Sequence, residues 1–257
     1  MNQNRVKKRI FSGATCDQLV YTASARSEGG ISMPRMRFKN DEERMEHRRR
    51  MARRHCAELV NTNCTPNGYY CTLTFNRENE IHDFDEARRE RNNFRRRLMR
   101  RCQDAVLFIF MGKGKSTSRI HFHMIAENVT PEEIQDAWHG GNVCDISHLR
   151  AHNFTPDGID LGADFTAVSD YCFDHWTPEQ GSGHYYCTAG KIRQPEAEEP
   201  VICAREYTLE KPPIAPKGYK LVSSYATSYG FLYFHYVKIP RESPPRTPHK
   251  HAVNMPQ

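Results

Sequence analysis

Between residues 69 and 176 apolar and polar positions fall in short blocks, and their period switches between two and about 3.6. Tyr69 to Phe75, YYCTLTF, is β-branched and aromatic and predicts a strand. Asp83 to Cys102 predicts a helix, because Phe84, Ala87, Phe94, Leu98 and Cys102 recur at helical spacing. Ala105 to Met111 is apolar throughout and predicts a central strand, and Ile120 to Ala126 predicts a third. Thr130-Pro131-Glu132-Glu133 is a capping box with proline at the first helical position, so a short helix runs from there to about Trp138. A Gly140-Gly141 turn then leads to a strand over Asn142 to Ile146. Asp164 to about Trp176 predicts a last helix, with Phe165, Val168 and Cys172 on its inner face. Few helices among short strands predict an α+β fold, a central antiparallel sheet backed by helices.

The flanks differ in character. Residues 1–56 are rich in arginine and lysine, and within them Asp41 to Arg54 reads DEERMEHRRRMARR. Acids in front and arginines behind suit a helix dipole. The stripe Met45, Met51 is thin, which predicts a helix on the surface or only partly docked. Glu196, Glu198 and Glu199 precede Pro200, and the last residues are proline-rich and basic, as in a disordered tail. The chain divides into a basic N-terminal extension with a helix (1–60), a central domain (61–195), a C-terminal extension (196–240) and a tail (241–257).

Composition narrows the class. The 257 residues carry a formal charge of +6 and are 38% hydrophobic. The longest apolar run, Ala105 to Met111, is far short of the roughly 18 residues that a membrane helix needs. The N-terminus has no apolar stretch of the secretory type. No membrane and a cytoplasmic location are therefore expected. Nine cysteines, an odd number without a CxxC pair, fit reduced, packed thiols better than a disulfide framework or zinc.

The chemistry concentrates in Ile120-His121-Phe122-His123-Met124. Strand alternation puts His121 and His123 on one face and the apolar set on the other. Two neutral imidazoles so placed can grip one divalent ion, and they equally fit two solvated histidines. The 83–102 helix carries eight arginines, Arg88, Arg89, Arg91, Arg95, Arg96, Arg97, Arg100 and Arg101, against Asp85, Glu86 and Glu90. That excess favours phosphate contact over simple solvation.

The order of these parts resembles the HUH endonucleases, and more closely the rolling-circle replication-associated proteins of small single-stranded DNA phages and plasmids. The likeness runs over roughly residues 60–240: the Thr72-Leu73-Thr74-Phe75 strand, the arginine-rich helix, the apolar strand, the loop ending Ser118-Arg119-Ile120-His121-Phe122-His123, and the tyrosine helix. The stretch Pro216 to Pro240 looks like that family's closing β-hairpin. The resemblance implies a ferredoxin- or RRM-like core, with His121 and His123 holding Mg²⁺ or Mn²⁺ and Tyr171 as nucleophile. It implies nicking and rejoining of single-stranded origin DNA, hairpin-bearing in some members, through a 5′-phosphotyrosine that leaves a free 3′ hydroxyl to prime synthesis. Asp174 and His175, three and four residues on, share a helical face with Tyr171 and are candidates to orient the phenol or take its proton. Tyr185 and Tyr186 are the other nucleophile candidates. Arg88, Arg89, Arg95, Arg96, Arg100, Lys113, Lys115, Arg119, Lys191 and Arg193 are the expected DNA contacts.

The chain departs from the family in two places. Asp174 stands where the family usually has lysine, and Phe108 to Arg119 holds no acid to act as third metal ligand. Alternative functions on the same fold are a catalytically silent single-stranded DNA-binding protein and an HUH transposase or relaxase. No GxxxxGK[ST] motif occurs, so the replication reading requires a host helicase and polymerase as partners.

Overall fold

The computed structural model describes residues 4–25, 31–32, 38–114, 119–181 and 185–239. The elements in chain order are β1 (Asn4–Ser12), β2 (Thr15–Ala25), β3 (Ile31–Ser32), α1 (Asp41–Asn63), β4 (Tyr69–Phe75), α2 (Phe84–Arg101), β5 (Val106–Lys113), β6 (Ile120–Glu127) and α3 (Pro131–Ala137). They continue with β7 (Gly141–His148), α4 (Thr166–Phe173), β8 (Cys187–Ala189), β9 (Glu196–Ala197), β10 (Val201–Ile202), β11 (Tyr219–Ala226) and β12 (Leu232–Lys238). The fold is α+β, built on two antiparallel sheets.

The central sheet has the order β7-β4-β6-β5-β8, so the histidine strand β6 lies in the middle. Alternation along its strands gives it two apolar faces. On one, Leu73, Ile109, Phe122 and Met124 pack against Phe94 and Leu98 of α2 and Ile134 of α3. On the other, Phe108, Phe110 and Ile125 pack against Cys56, Leu59 and Val60 of α1 and Cys172 and Phe173 of α4. His121 and His123 have the parity of Ile125, so they lie on the α1/α4 side.

The helix ends follow the sequence closely. Asp83 caps α2 by accepting from the Asp85 and Glu86 amides, and the Thr130/Glu133 capping box opens α3. Helix α1 is longer than the Asp41 to Arg54 stretch suggested and docks by its second half, where Cys56, Ala57, Leu59 and Val60 are buried. The eight described free cysteines are buried or half-buried, with no disulfide among them.

The second sheet has the order β10-β1-β2-β12-β11, with β3 on β2 and β9 on β1. Its strands β1 and β2 occupy a segment where the sequence pattern suggested only basic character. Arg5, Lys7, Lys8 and Arg9 mask the alternation there, yet Val6, Leu19 and Tyr21 are buried under one face and Cys16 and Val20 under the other. Strand β2 pairs with β12, so the N-terminal segment and the C-terminal hairpin are neighbours in one sheet. Among the described residues no helix is long and apolar enough to cross a membrane.

Candidate metal centre and tyrosine

Strand pairing sets the first two donors. His123 lies opposite Thr72 of β4, His121 lies opposite Gly112 of β5, and the two Nε2 atoms are 3.1 Å apart. Two nitrogens about 2.1 Å from one ion and at right angles around it would be about 3.0 Å apart, so this edge matches a shared ion. The third donor is His175, just past the C-terminus of α4. One ring nitrogen from each of His121, His123 and His175 lies within 4.8 Å of the others, and these three can hold a metal ion. Where the sequence offered no acid before the histidines, an imidazole just past α4 is close enough to serve as a third donor.

Hydrogen bonds leave the right nitrogens free. His175 Nδ1 is 2.8 Å from the Tyr171 carbonyl, which can only accept, so Nδ1 carries the proton and Nε2 keeps its lone pair. His123 Nδ1 is 2.9 Å from the Tyr70 hydroxyl and 3.2 Å from Thr72 Oγ1, and donation there frees its Nε2 in the same way. Burial, with the charges of His121 and His175, pushes the His123 imidazole down to about 3. Burial likewise lowers His121, against a hydrogen bond to the Arg119 backbone. Both rings are therefore neutral at ordinary pH, the form that ligates metal.

Gly112 completes the fit. A Cβ built there would lie 2.9 Å from His121 Nε2 and 2.9 Å from His175 Cβ. Both side chains use the space that any other residue would fill.

Tyr171 stands beside this cluster. Its ring is 5.3 Å from that of His123 and 4.7 Å from that of His175, and the residue is 52% exposed. Helix α4 is held at its start by Asn61 of α1, which accepts from the Phe165 amide, and by Asp164, which accepts from the Thr166 amide. Asp164 also meets His235 of β12, whose other nitrogen meets Asp17 of β2. The second sheet thus fixes the helix that carries Tyr171 and leads to His175.

Several residues expected at the site lie elsewhere. Asp174 faces α1, paired with Arg49 at 3.5 Å and Arg53 at 3.1 Å, so it does not act on the phenol. Helix α2 covers the sheet face opposite the histidines, which removes Arg88, Arg89, Arg95, Arg96 and Arg100 from the metal centre. Arg88 donates to the Gln180 carbonyl, Arg95 contacts Cys187 Sγ at 3.7 Å, and Arg96 donates to Asn93 at 2.6 Å, while Arg89 and Arg100 are exposed. Lys113 alternates away from the histidines, over the Phe84 ring and paired with Glu179 at 3.1 Å. Arg119 pairs with Glu80 at 2.8 Å. Lys191 and Arg193 line a separate cavity with Glu127, and Arg193 donates to the Thr62 carbonyl. Lys115 lies outside the described residues. Tyr185 and Tyr186 pack on Phe173, and burial raises the Tyr186 phenol, which suits a core role.

Two contributors escaped the sequence reading. Tyr70 shares its strand face with Thr72, and strand alternation in YYCTLTF placed it there. Gly112 could be found only from the pairing register. Comparisons with protein-family models, with curated proteins and with solved structures find no match to this chain.

Proposed function

We propose that this chain is a metal-dependent DNA strand-transfer enzyme that nicks and rejoins single-stranded origin DNA with Tyr171 as nucleophile, in the manner of rolling-circle initiators. What supports this reading is one observation: an exposed tyrosine ring lies against a three-histidine cluster that can hold a metal ion. Three imidazoles favour manganese over magnesium, whose preference is for oxygen ligands. A bound ion would polarise the scissile phosphate and stabilise charge on the leaving oxygen.

The chain's own residues do the rest. The Tyr171 oxygen attacks phosphorus, the bond to the 3′ oxygen breaks, and a 5′-phosphotyrosine and a free 3′ hydroxyl result. Rejoining is the reverse attack. His175 Nδ1 is committed to the Tyr171 carbonyl and Asp174 to Arg49 and Arg53, so neither takes the phenol proton, which leaves to water. Donation from His123 Nδ1 to the Tyr70 and Thr72 hydroxyls would keep that ring in the ligating tautomer. Unwinding and synthesis would fall to a host helicase and polymerase.

The test is incubation with a labelled single-stranded oligonucleotide library and Mn²⁺, followed by denaturing electrophoresis. A covalent protein–DNA band is expected, lost in Tyr171→Phe and strongly reduced in His121→Ala and His123→Ala. Cleavage that survives Tyr171→Phe without an adduct would replace strand transfer by metal-dependent hydrolysis. Binding without cleavage would favour a silent DNA-binding protein.

A further inference from the structure

A second site lies along α1, apart from the three histidines. A cavity of about 310 Å³ opens between α1, the start of α4 and the inner face of the second sheet. Arg50, Arg53 and Arg54 reach it from α1, Thr166 and Asp170 from α4, and Ser223, Tyr225 and Tyr233 from the hairpin. Most of its charges are already matched. Arg53 pairs with Asp170 at 2.8 Å, Arg54 Nε donates to Glu58 at 3.0 Å, and His235 lies between Asp17 and Asp164.

What is left over is cationic. Arg54 Nη1 is buried and has no hydrogen-bond partner, although its guanidinium sits 4.7 Å over the Tyr233 ring. A buried donor on a charged group costs free energy unless something accepts from it. Arg50, with its side chain 42% exposed, meets Glu46 at 3.5 Å and stands at the same cavity. Glu58, Asp17 and Asp170 are held by their own partners, so an incoming anion does not face bare carboxylates.

We propose that this cavity binds a phosphate monoester, with Arg54 Nη1 and Arg50 as donors and Ser223 at the mouth. Guanidinium groups suit phosphate oxygens by geometry as well as charge. The volume of about 310 Å³ accepts a phosphate with part of its attached group. Two sources share that chemistry, a free mononucleotide and the 5′-phosphate end of a single strand. The proposal is independent of the metal centre and of the nicking reading.

The experiment is isothermal titration of the full chain in EDTA, which keeps metal-held phosphate out of the measurement. The titrants are inorganic phosphate, dAMP, and one oligonucleotide with and without a 5′-phosphate. Saturable binding of phosphate and dAMP is expected. Arg54→Met should weaken it by about tenfold or more. Because that change takes buried Glu58's arginine away and leaves it His55 at 3.5 Å, the exposed Ser223→Glu serves as the second variant. It should abolish binding while leaving the melting temperature unchanged. A free-nucleotide site gives tight dAMP binding and no gain from the oligonucleotide's 5′-phosphate. A strand-end site gives a clear preference for the phosphorylated oligonucleotide, lost in Ser223→Glu. The proposal is overturned if phosphate and dAMP do not bind, or bind equally well to Ser223→Glu and Arg54→Met.

Discussion

Gly112→Ala is the sharpest mechanical perturbation of the metal centre. Gly112 sits inside β5 with ordinary strand backbone, so the new methyl group meets contact rather than dihedral strain. It would lie 2.9 Å from both His121 Nε2 and His175 Cβ. Ordinary contact is about 3.5 Å, so relief takes about 0.6 Å of movement on each side. Metal–ligand distances tolerate only about 0.2 Å. The His121 ring is the softer neighbour, and moving it takes one nitrogen out of the ligand set. Outer-shell losses alone cost about 10- to 100-fold in metal affinity, so loss of a ligand should cost at least about 100-fold. The overpacking itself should cost about 1–3 kcal/mol, or about 2–4 °C in melting temperature per kcal/mol. Calorimetric titration with Mn²⁺ and thermal melting of the metal-free protein measure the two effects separately. Wild-type Mn²⁺ affinity in Gly112→Ala would refute the placement of the three histidines around one ion.

Other consequences follow from the same contacts. Tyr70→Phe removes the closer acceptor for His123 Nδ1 and leaves Thr72, so Mn²⁺ affinity should fall about 10-fold by titration with little change in secondary structure by circular dichroism. The His123 imidazole is held at about 3, below its ordinary value of about 6.5. Stability of the metal-free protein from this group is therefore full above pH 6.5 and lost as pH falls toward 3, and His123→Asn should flatten that limb of a melting-temperature profile. His235 runs the other way. Burial lowers it, but the hydrogen bonds and charges of Asp164 and Asp17 prevail and carry it up to about 10. Its contribution is full below about pH 6.5 and lost as pH rises through 10. His235→Gln leaves buried Asp164 and half-buried Asp17 without their cation and should cost about 3–5 kcal/mol in denaturant unfolding at pH 7; a loss under 1 kcal/mol would show that the contact does not hold α4.

The central sheet was legible because its signals are local. YYCTLTF, the Ala105 to Met111 run and the alternation around His121 each declare a strand, and Asp83 and Thr130 declare helix starts in the cap positions they occupy. The histidine pair followed from period-two geometry alone. The third candidate donor did not, because His175 reaches the pair through tertiary packing of α4 across the sheet, and no sequence spacing encodes that. The same holds for Asp174. Helical spacing put it near Tyr171, but Arg49 and Arg53, more than a hundred residues earlier in the chain, draw it toward α1. The arginine excess on α2 was legible, but composition cannot say which face of a sheet a helix covers, and α2 covers the one opposite the histidines. Strands β1 and β2 were hidden by long basic side chains, whose stems can lie along apolar surface while their heads reach water.

The most direct test is a crystal structure of the full chain with Mn²⁺, with the ion located by its anomalous scattering. One ion is expected, bound by ring nitrogens of His121, His123 and His175 at about 2.2 Å, with the Tyr171 hydroxyl facing it and open coordination positions toward solvent. An ion held elsewhere, an ion bound without His175, or three histidines that stay metal-free at saturating Mn²⁺ would contradict the account.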